Sequence, residues 1–262
     1  MCDSTIVYSA VTSNYDMVFK PRVFTKNVQY VLFSDQPGKV KGWSVLPISK
    51  VIKGGESLTN RWYKLFPHEV FIDAEYSVYV DGNIRIIADL TPLLQEFKES
   101  NAALGVFKHQ DRNNVFQEAD ACLELGKFDE QDVRRVKKQL KVYIESGMPP
   151  DQPLTYNGII FRWHKHPGLS KAMTSWWNQM QSYSKRDQIS LPYIVWKNNL
   201  PVKKWNMLYK GDNPYFEVYP HRKTLIRDLI TFMRVHRNDY KWAGYANRLL
   251  NYARPFYKLY KR

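Results

Sequence analysis

From Thr5 to Val11 (TIVYSAV) the chain carries β-branched and aromatic residues without polar alternation, the pattern of a strand covered on both faces. Gln29–Ser34 (QYVLFS) repeats the pattern and stops at a turn signal, Asp35-Gln36-Pro37-Gly38, and Trp43–Ile48 supplies a third strand. Between Ser57 and His68 the period becomes helical. Leu58, Trp62, Leu65 and Phe66 fall on one face, Arg61 and Lys64 lie at its border, and Pro67 closes the helix. Tyr76–Val80 is again a buried strand, running into Asp81-Gly82-Asn83 and then a second extended run at Ile84-Arg85. Thr91 as cap and Pro92 as first residue open the next helix. Ala103–Lys108 predicts a strand, Val115–Leu125 a helix ending at Gly126, and Glu130–Ser146 a charged helix. After the loop Met148-Pro149-Pro150-Asp151-Gln152-Pro153 come a strand at Asn157–Trp163, a helix through Trp176-Trp177 and a helix beginning near Ser184–Gln188. Strands alternating with helices over about 200 residues predict an α/β fold with a mostly parallel, doubly wound sheet.

Composition narrows the class. A chain of 262 residues, 44% of them hydrophobic, can bury a full α/β core and still carry an appendage. No stretch approaches the roughly 20 apolar residues of a membrane span. The residues after Met1 lack a basic segment followed by an apolar run, so no signal peptide is predicted. Two cysteines, Cys2 and Cys122, are too few for a disulfide framework and suit a reducing compartment; a cytoplasmic location follows as the expectation. The net charge of +14 is uneven: residues 221–262 hold eleven Lys/Arg and two Asp, a surplus of 11 − 2 = +9. The same stretch carries Tyr240, Trp242, Tyr245, Tyr252, Phe256, Tyr257 and Tyr260. The chain therefore divides into a catalytic-size domain, 1–220, and a basic, aromatic-rich helical extension, 221–262. Basic residues mixed with interfacial aromatics suit an anionic membrane surface. They suit nucleic-acid phosphates as well, and a solvated helix packed on the domain is the plain alternative.

Candidate chemistry begins by exclusion. There is no Gly-rich phosphate loop, no dinucleotide fingerprint after the first strand, no nucleophile elbow and no zinc signature. Cys122 lies within an amphipathic helix, where a free thiol behaves as a small hydrophobe. What remains are polar groups at strand ends, where open α/β sheets bind ligands. Asp81 and Asn83 offer two hard oxygen ligands, with Gly82 between them allowing close backbone approach. Taken alone, Asp-Gly-Asn favours an ordinary hairpin turn. His109-Gln110-Asp111-Arg112 follows a strand, with Glu118 in the next helix. Asn157-Gly158 opens a strand, and Gly158 again permits a ligand near the backbone. Arg186-Asp187-Gln188 sits at a helix start, where backbone N–H groups and a guanidinium hold anions.

The order of these blocks resembles the GT-A glycosyltransferases of the glycogenin-like branch. There a basic helix ending in a leucine-proline element precedes an Asp-x-Asp metal motif, as Asn60-Arg61-Trp62-Tyr63-Lys64-Leu65-Phe66-Pro67-His68 precedes Tyr79-Val80-Asp81-Gly82-Asn83 here. More closely, Arg61-Trp62-Tyr63-Lys64, His109-Gln110-Asp111-Arg112 with Glu118-Ala119, Asn157-Gly158 and Ser184-Lys185-Arg186-Asp187-Gln188-Ile189-Ser190 resemble a glycosyltransferase-like family. That family is known from plant mucilage and turgor-regulation proteins and from bacterial polysaccharide gene clusters. The likeness covers about residues 5 to 200.

The resemblance implies a GT-A fold and a metal-assisted transfer of a sugar from a nucleotide sugar, a UDP-sugar first among the donors, with retention of configuration. It implies that Ala10, Val11, Asn14 and Tyr15 hold the base and ribose, and that Arg61, Lys64 and Arg186 face the donor phosphates. Asp81, Asn83 and His221 would hold Mn²⁺ or Mg²⁺. Asn157, Asp187 and Gln188 would contact the sugars, with Asp187 the carboxylate placed for charge on the sugar or for orienting the acceptor, while His109, Arg112, Glu118 and Gly158 would line the cleft or meet the acceptor. Asn83 departs from the Asp-x-Asp pattern and removes one negative charge. The acceptor is expected to be a glycan or lipid-linked polysaccharide, met at the inner membrane face. Two other readings compete: a metal-dependent hydrolase of a lipid, since a plant relative is linked to ceramide cleavage, and a non-catalytic binding protein on a transferase-like fold. Nucleic acid ranks last among the partners.

Overall fold

A computed structural model describes residues 4–36, 38–209, 211–222 and 225–249. Cys2 and the tail aromatics Tyr252, Phe256, Tyr257 and Tyr260 lie outside the described residues. Seven strands form the central sheet in the order β3-β2-β1-β4-β7-β6-β8: β1 (Thr5–Val11), β2 (Val28–Ser34), β3 (Ser44–Pro47), β4 (Tyr76–Val80), β6 (Leu104–Lys108), β7 (Thr155–Trp163) and β8 (Val202–Trp205). Four pairings are parallel, and β7 runs antiparallel to both its neighbours β4 and β6. A second, two-stranded sheet joins β5 (Ile84–Ile86) to β9 (Phe216–Val218). The helices are α1 (Glu56–Leu65), α2 (Pro67–Val70), α3 (Thr91–Glu99), α4 (Val115–Glu124), α5 (Glu130–Glu145), α6 (Leu169–Ser182), α7 (Asp187–Lys197) and α8 (Leu225–Val235), with residues 241–249 also helical.

The α/β architecture with a helix-flanked central sheet is the one expected, and the reason lies in the covered strands. All seven residues of β1 are buried. Ile6, Tyr8 and Ala10 enter one core with Trp62, Leu65, Trp176 and Ile194, while Val7 and Val11 enter another with Val78, Leu93 and Phe97. The alternation of a strand thus feeds two cores, one on each face of the sheet.

Two local expectations are corrected. Asp81-Gly82-Asn83 is not a hairpin turn, because β4 and β5 belong to different sheets. Thr91 is the first helical residue rather than the cap; its N–H and hydroxyl both donate to Asp89 Oδ1, at 3.0 and 2.8 Å. Two strands, β8 and β9, carry no sequence signal that was read.

The reversed direction of β7 positions the site. Its amino end lies beside the carboxyl ends of β1 and β4, and Asp81 N–H donates to Gly158 O at 2.8 Å. The pairing with β6 slips there: Val106 faces Ile160 but Phe107 faces Tyr156, so residues 157–159 bulge out of register. Such a bulge re-aims side chains next to a functional site.

Candidate functional site

At this end of the sheet lies a cleft of about 430 Å³. It is lined by Ala10, Val11 and Tyr15 after β1, Arg61 and Lys64 of α1, Asp81 and Asn83 after β4, Asn157 and Gly158 of the bulge, Arg186, Asp187 and Gln188 at the start of α7, and His221. Sequence blocks as far apart as Ala10 and His221 therefore converge.

Lys64 is the centre of the charge network. The amphipathic α1 turns it inward with Leu58, Trp62 and Leu65, and its side chain is 2% exposed. Its Nζ lies 2.7 Å from Asp187 Oδ2 and 3.3 Å from Asp81 Oδ1, and 4.8 Å from the centre of the Tyr79 ring. Arg61 Nη2 approaches the other Asp187 oxygen at 3.8 Å. Burial alone would raise the Asp187 pKa, but the charges of Arg61, Lys64 and Arg186 outweigh it and hold the carboxyl well below the usual range. Asp187 is therefore a fixed anion.

Arg186 is held from behind. Glu118, fully buried in α4, accepts from Arg186 Nη2 at 3.0 Å and from Arg112 Nε at 2.6 Å. Burial opposes its ionisation, yet the two guanidiniums keep its pKa below normal. Arg186 Nη2 also donates to Gln188 Oε1 at 2.8 Å. His109 accepts the N–H groups of Asp111 and Arg112 on Nδ1, both at 3.2 Å, which shapes that loop.

Two amide atoms in the cleft wall have no hydrogen-bond partner among the described residues: Asn83 Oδ1 and Asn157 Nδ2. Both residues are buried, 6% and 1% exposed. Their other amide atoms are bound, Asn83 Nδ2 to Tyr219 O at 2.5 Å and Asn157 Oδ1 to Thr155 Oγ1 at 2.9 Å. Orphaned buried acceptors and donors of this kind call for a ligand or ion.

Some expected cleft residues stand elsewhere. Glu118, His109 and Arg112 do not line the cleft; they brace Arg186 and the loop before α4. Asn14 also lies outside it, accepting from Arg222 Nη1 at 2.5 Å. At both glycines packing leaves no room for a side chain, and Gly158 also lines the cleft. A Cβ on Gly82 would meet Val11 at 2.5 Å and Asp16 at 2.8 Å, and one on Gly158 would meet the Tyr156 ring at 2.5 Å. Conversely, Asp16, Asn60 and Tyr156 line the cleft without having been given a site role from sequence. Asn60 donates to Ala10 O, and Tyr156 stacks on Tyr209 with ring centres 3.7 Å apart. Asn60 opens the basic-helix motif and Tyr156 precedes the Asn-Gly pair, whereas Asp16 carried no sequence signal.

Fold and site together define an α/β domain with a charged ligand cleft at the carboxyl ends of its parallel strands. Comparison with known proteins gives this class a family. The chain belongs to the TOD1/MUCI70 glycosyltransferase-like domain family, whose match spans residues 31–215. That span includes every cleft residue from Glu56 to Gln188 and leaves the β1 loop and His221 outside. The chain is 26% identical over 221 residues to "Probable hexosyltransferase MUCI70" of Arabidopsis thaliana, covering 74% of this chain and 37% of that protein. It is 24% identical over 192 residues to "Alkaline ceramidase TOD1" of the same plant, covering 68% of this chain and 40% of that protein. The chain thus spans about two fifths of the length of these relatives. Among solved structures, the apo structure of the WbbM bifunctional glycosyltransferase aligns over 78% of this chain and 39% of its own, with TM-score 0.44 and 13% identity.

Proposed function

We propose that this domain is a nucleotide-sugar-dependent hexosyltransferase of GT-A type acting on a glycan or lipid-linked polysaccharide. The observation that carries the reading is the charge layout of the cleft: Arg61, Lys64 and Arg186 converge where Asp81 and the unpartnered Asn83 Oδ1 meet them. Guanidinium and ammonium groups in one half-buried cleft suit a diphosphate, the guanidiniums by bidentate contact and the lysine as a point charge. The donor set on the other wall, one carboxylate, one orphaned amide oxygen and one imidazole, fits a hard divalent cation. Asp81, Asn83 and His221 would hold Mn²⁺ or Mg²⁺, which supplies charge neutralisation on the diphosphate leaving group.

The chain's own residues do the rest. Lys64 and Arg61 orient the diphosphate and share its charge. Ala10, Val11 and Tyr15 form the wall for the base and ribose. Asn157 Nδ2 is the free donor for a sugar hydroxyl. Asp187, an anion at every working pH, stabilises positive charge developing on the donor sugar as the glycosidic bond lengthens. Retention of configuration accords with the glycogenin-like order of the motifs. A cytoplasmic enzyme peripheral on the inner membrane face is the setting that the basic, aromatic C-terminal stretch supports.

The test is a thermal-shift screen of nucleoside diphosphates and nucleotide sugars, with and without Mn²⁺. A UDP-sugar should raise the melting temperature more with Mn²⁺ than without, because a ligand confined to the native state stabilises it. Indifference to every nucleotide would overturn the reading. The match to a relative described as an alkaline ceramidase supports a second reading, lipid hydrolysis at the same cleft. Release of fatty acid from ceramide, with no sugar transfer from any donor, would establish it in place of the first.

A further inference from the structure

Asp16 belongs to none of the sequence motifs, yet it stands where three segments of the cleft meet. Its Oδ1 lies 2.6 Å from His221 Nδ1, and its side chain is only 9% exposed. The Asp81-Gly82-Asn83 turn presses directly on it, since a Cβ on Gly82 would come within 2.8 Å of Asp16 Cβ and 3.1 Å of Oδ2. The segment bearing His221 is pinned to the same turn by Tyr219 N–H donating to Asn83 O at 2.9 Å and by the Asn83 amide donating to Tyr219 O. Tyr15 packs on the imidazole with ring centres 4.8 Å apart, and Arg222 N–H donates to Tyr15 O at 3.2 Å. Beside this arrangement the buried Asn83 Oδ1, part of a cleft-lining residue, has no hydrogen-bond partner among the described residues. The orphaned oxygen, not the acidic residues, marks the spot as a ligand position.

We infer that Asp16 is the positioning carboxylate of the cation site, fixing His221 as the tautomer with hydrogen on Nδ1 so that Nε2 keeps the lone pair that ligates the metal. A ligating imidazole needs its other nitrogen held by a carboxylate or carbonyl to fix ring orientation and raise ligand basicity. Here the donor set needs that support more than usual, because Asn83 contributes a neutral oxygen and Asp81 is shared with Lys64. The Gly82 contact explains why a glycine stands between the two ligand residues: a side chain there would push Asp16 off His221.

The inference rests on the metal-assisted reading above, and the experiment separates the two. Mn²⁺ is titrated calorimetrically into the full chain, pre-mixed with one equivalent of UDP, for the wild type and for Asp16→Ala, Asp16→Asn, His221→Ala and the Asp16→Ala/His221→Ala double variant. Asp16→Ala should weaken Mn²⁺ binding about tenfold to a hundredfold. Asp16→Asn, which keeps an acceptor but no charge, should fall between. In the His221→Ala background the loss on removing Asp16 should shrink to about threefold or less, because interacting sites are non-additive. Melting temperatures without metal identify any variant that fails to fold, in which case Asp16→Asn and its own double variant carry the cycle. A wild type that binds no Mn²⁺ overturns the metal reading itself. A wild type that binds, with Asp16→Ala within twofold of it or equally damaging with and without His221, overturns the role of Asp16 alone.

Discussion

Lys64 shows how one side chain can set the character of a cleft. Its buried Nζ bridges two carboxylates, and its charge is one of those that hold the Asp187 carboxyl ionised. The Asp187 pKa is depressed in the folded state, so its ionised form contributes stability above the ordinary carboxylate pKa of about 4, lost only as pH falls through the much lower folded value. Lys64→Met should remove the Lys64 share of that depression, its charge and its hydrogen bond, and leave Asp187 paired with Arg61 and Arg186. The expected cost at pH 7 is about 3–5 kcal/mol, the range for breaking a buried pair from one side. As pH falls through about 4, Asp187 in the variant takes up a proton and the gap to wild type should narrow. Urea unfolding at the two pH values measures this, and an equal gap at both would assign the loss to packing of the lysine stem.

Strand β7 spans two environments, the bulge with Asn157 at the cleft and a buried basic cluster at the far end. Arg162, fully buried on β7, donates from Nη1 to Tyr8 Oη at 3.2 Å, while its Nε and Nη2 have no partner among the described residues. Burial first, and the Arg162 charge second, push His164 down to about 3 and His68 down to about 4. Both folded values lie below the ordinary histidine value of about 6.5, so acid favours the unfolded chain. Stability is complete above that value and falls as pH drops from it toward the folded pKa values. Arg162→Met should therefore leave the melting temperature at pH 7 unchanged or raised, since replacing an uncompensated buried charge with an apolar side chain is neutral or stabilising. It should also shrink the drop in melting temperature between pH 7 and about pH 4.5; a larger drop would refute the account. This cluster was invisible in sequence, where Arg162 reads as one polar residue in an apolar strand. The strands and helices that were legible share a trait: β1, β4 and β7 are covered on both faces, and α1 and α5 keep a clear helical period. The unread β8 pairs on one side only and carries Lys203 and Lys204, while β9 has three residues and one partner strand. In the cleft, motif order revealed Arg61, Lys64, Asp81, Asn157 and Asp187. Asp16 was hidden because its meaning lies in a contact with a residue 205 positions away.

At the scale of the whole molecule, the stretch after β9 both completes the cleft and faces outward. His221 and Arg222 join the β1 loop, and Arg85 Nη1 donates to Val235 O at 3.0 Å, so the chain beyond His221 is tied to the domain at its inner side. Thr231, Met233 and Val235 are buried, whereas Leu225, Ile226 and Leu229 are 85%, 73% and 54% exposed, as is Trp242 at 53%. No helix among the described residues is long and apolar enough to cross a membrane. On the proposed peripheral reading, the exposed aliphatic and indole groups among basic residues would enter the headgroup region while the charges hold anionic lipid. Removing the whole stretch would also strip His221 from the cleft, so the discriminating variant is Leu225→Ser/Ile226→Ser/Leu229→Ser, which leaves the inner face alone. In co-sedimentation, the wild type should bind phosphatidylserine vesicles, release them as salt rises to about 0.5 M, and ignore phosphatidylcholine vesicles. Three aliphatic side chains, each worth about 1.5–3 kcal/mol when fully buried, need be only partly inserted for the variant to lose at least about tenfold in partitioning. Its melting temperature and its nucleotide-induced shift should stay at wild-type values, which separates membrane docking from the chemistry of the cleft. Undiminished vesicle binding by the triple variant would show that charge alone carries the attraction and that the apolar face serves no membrane contact.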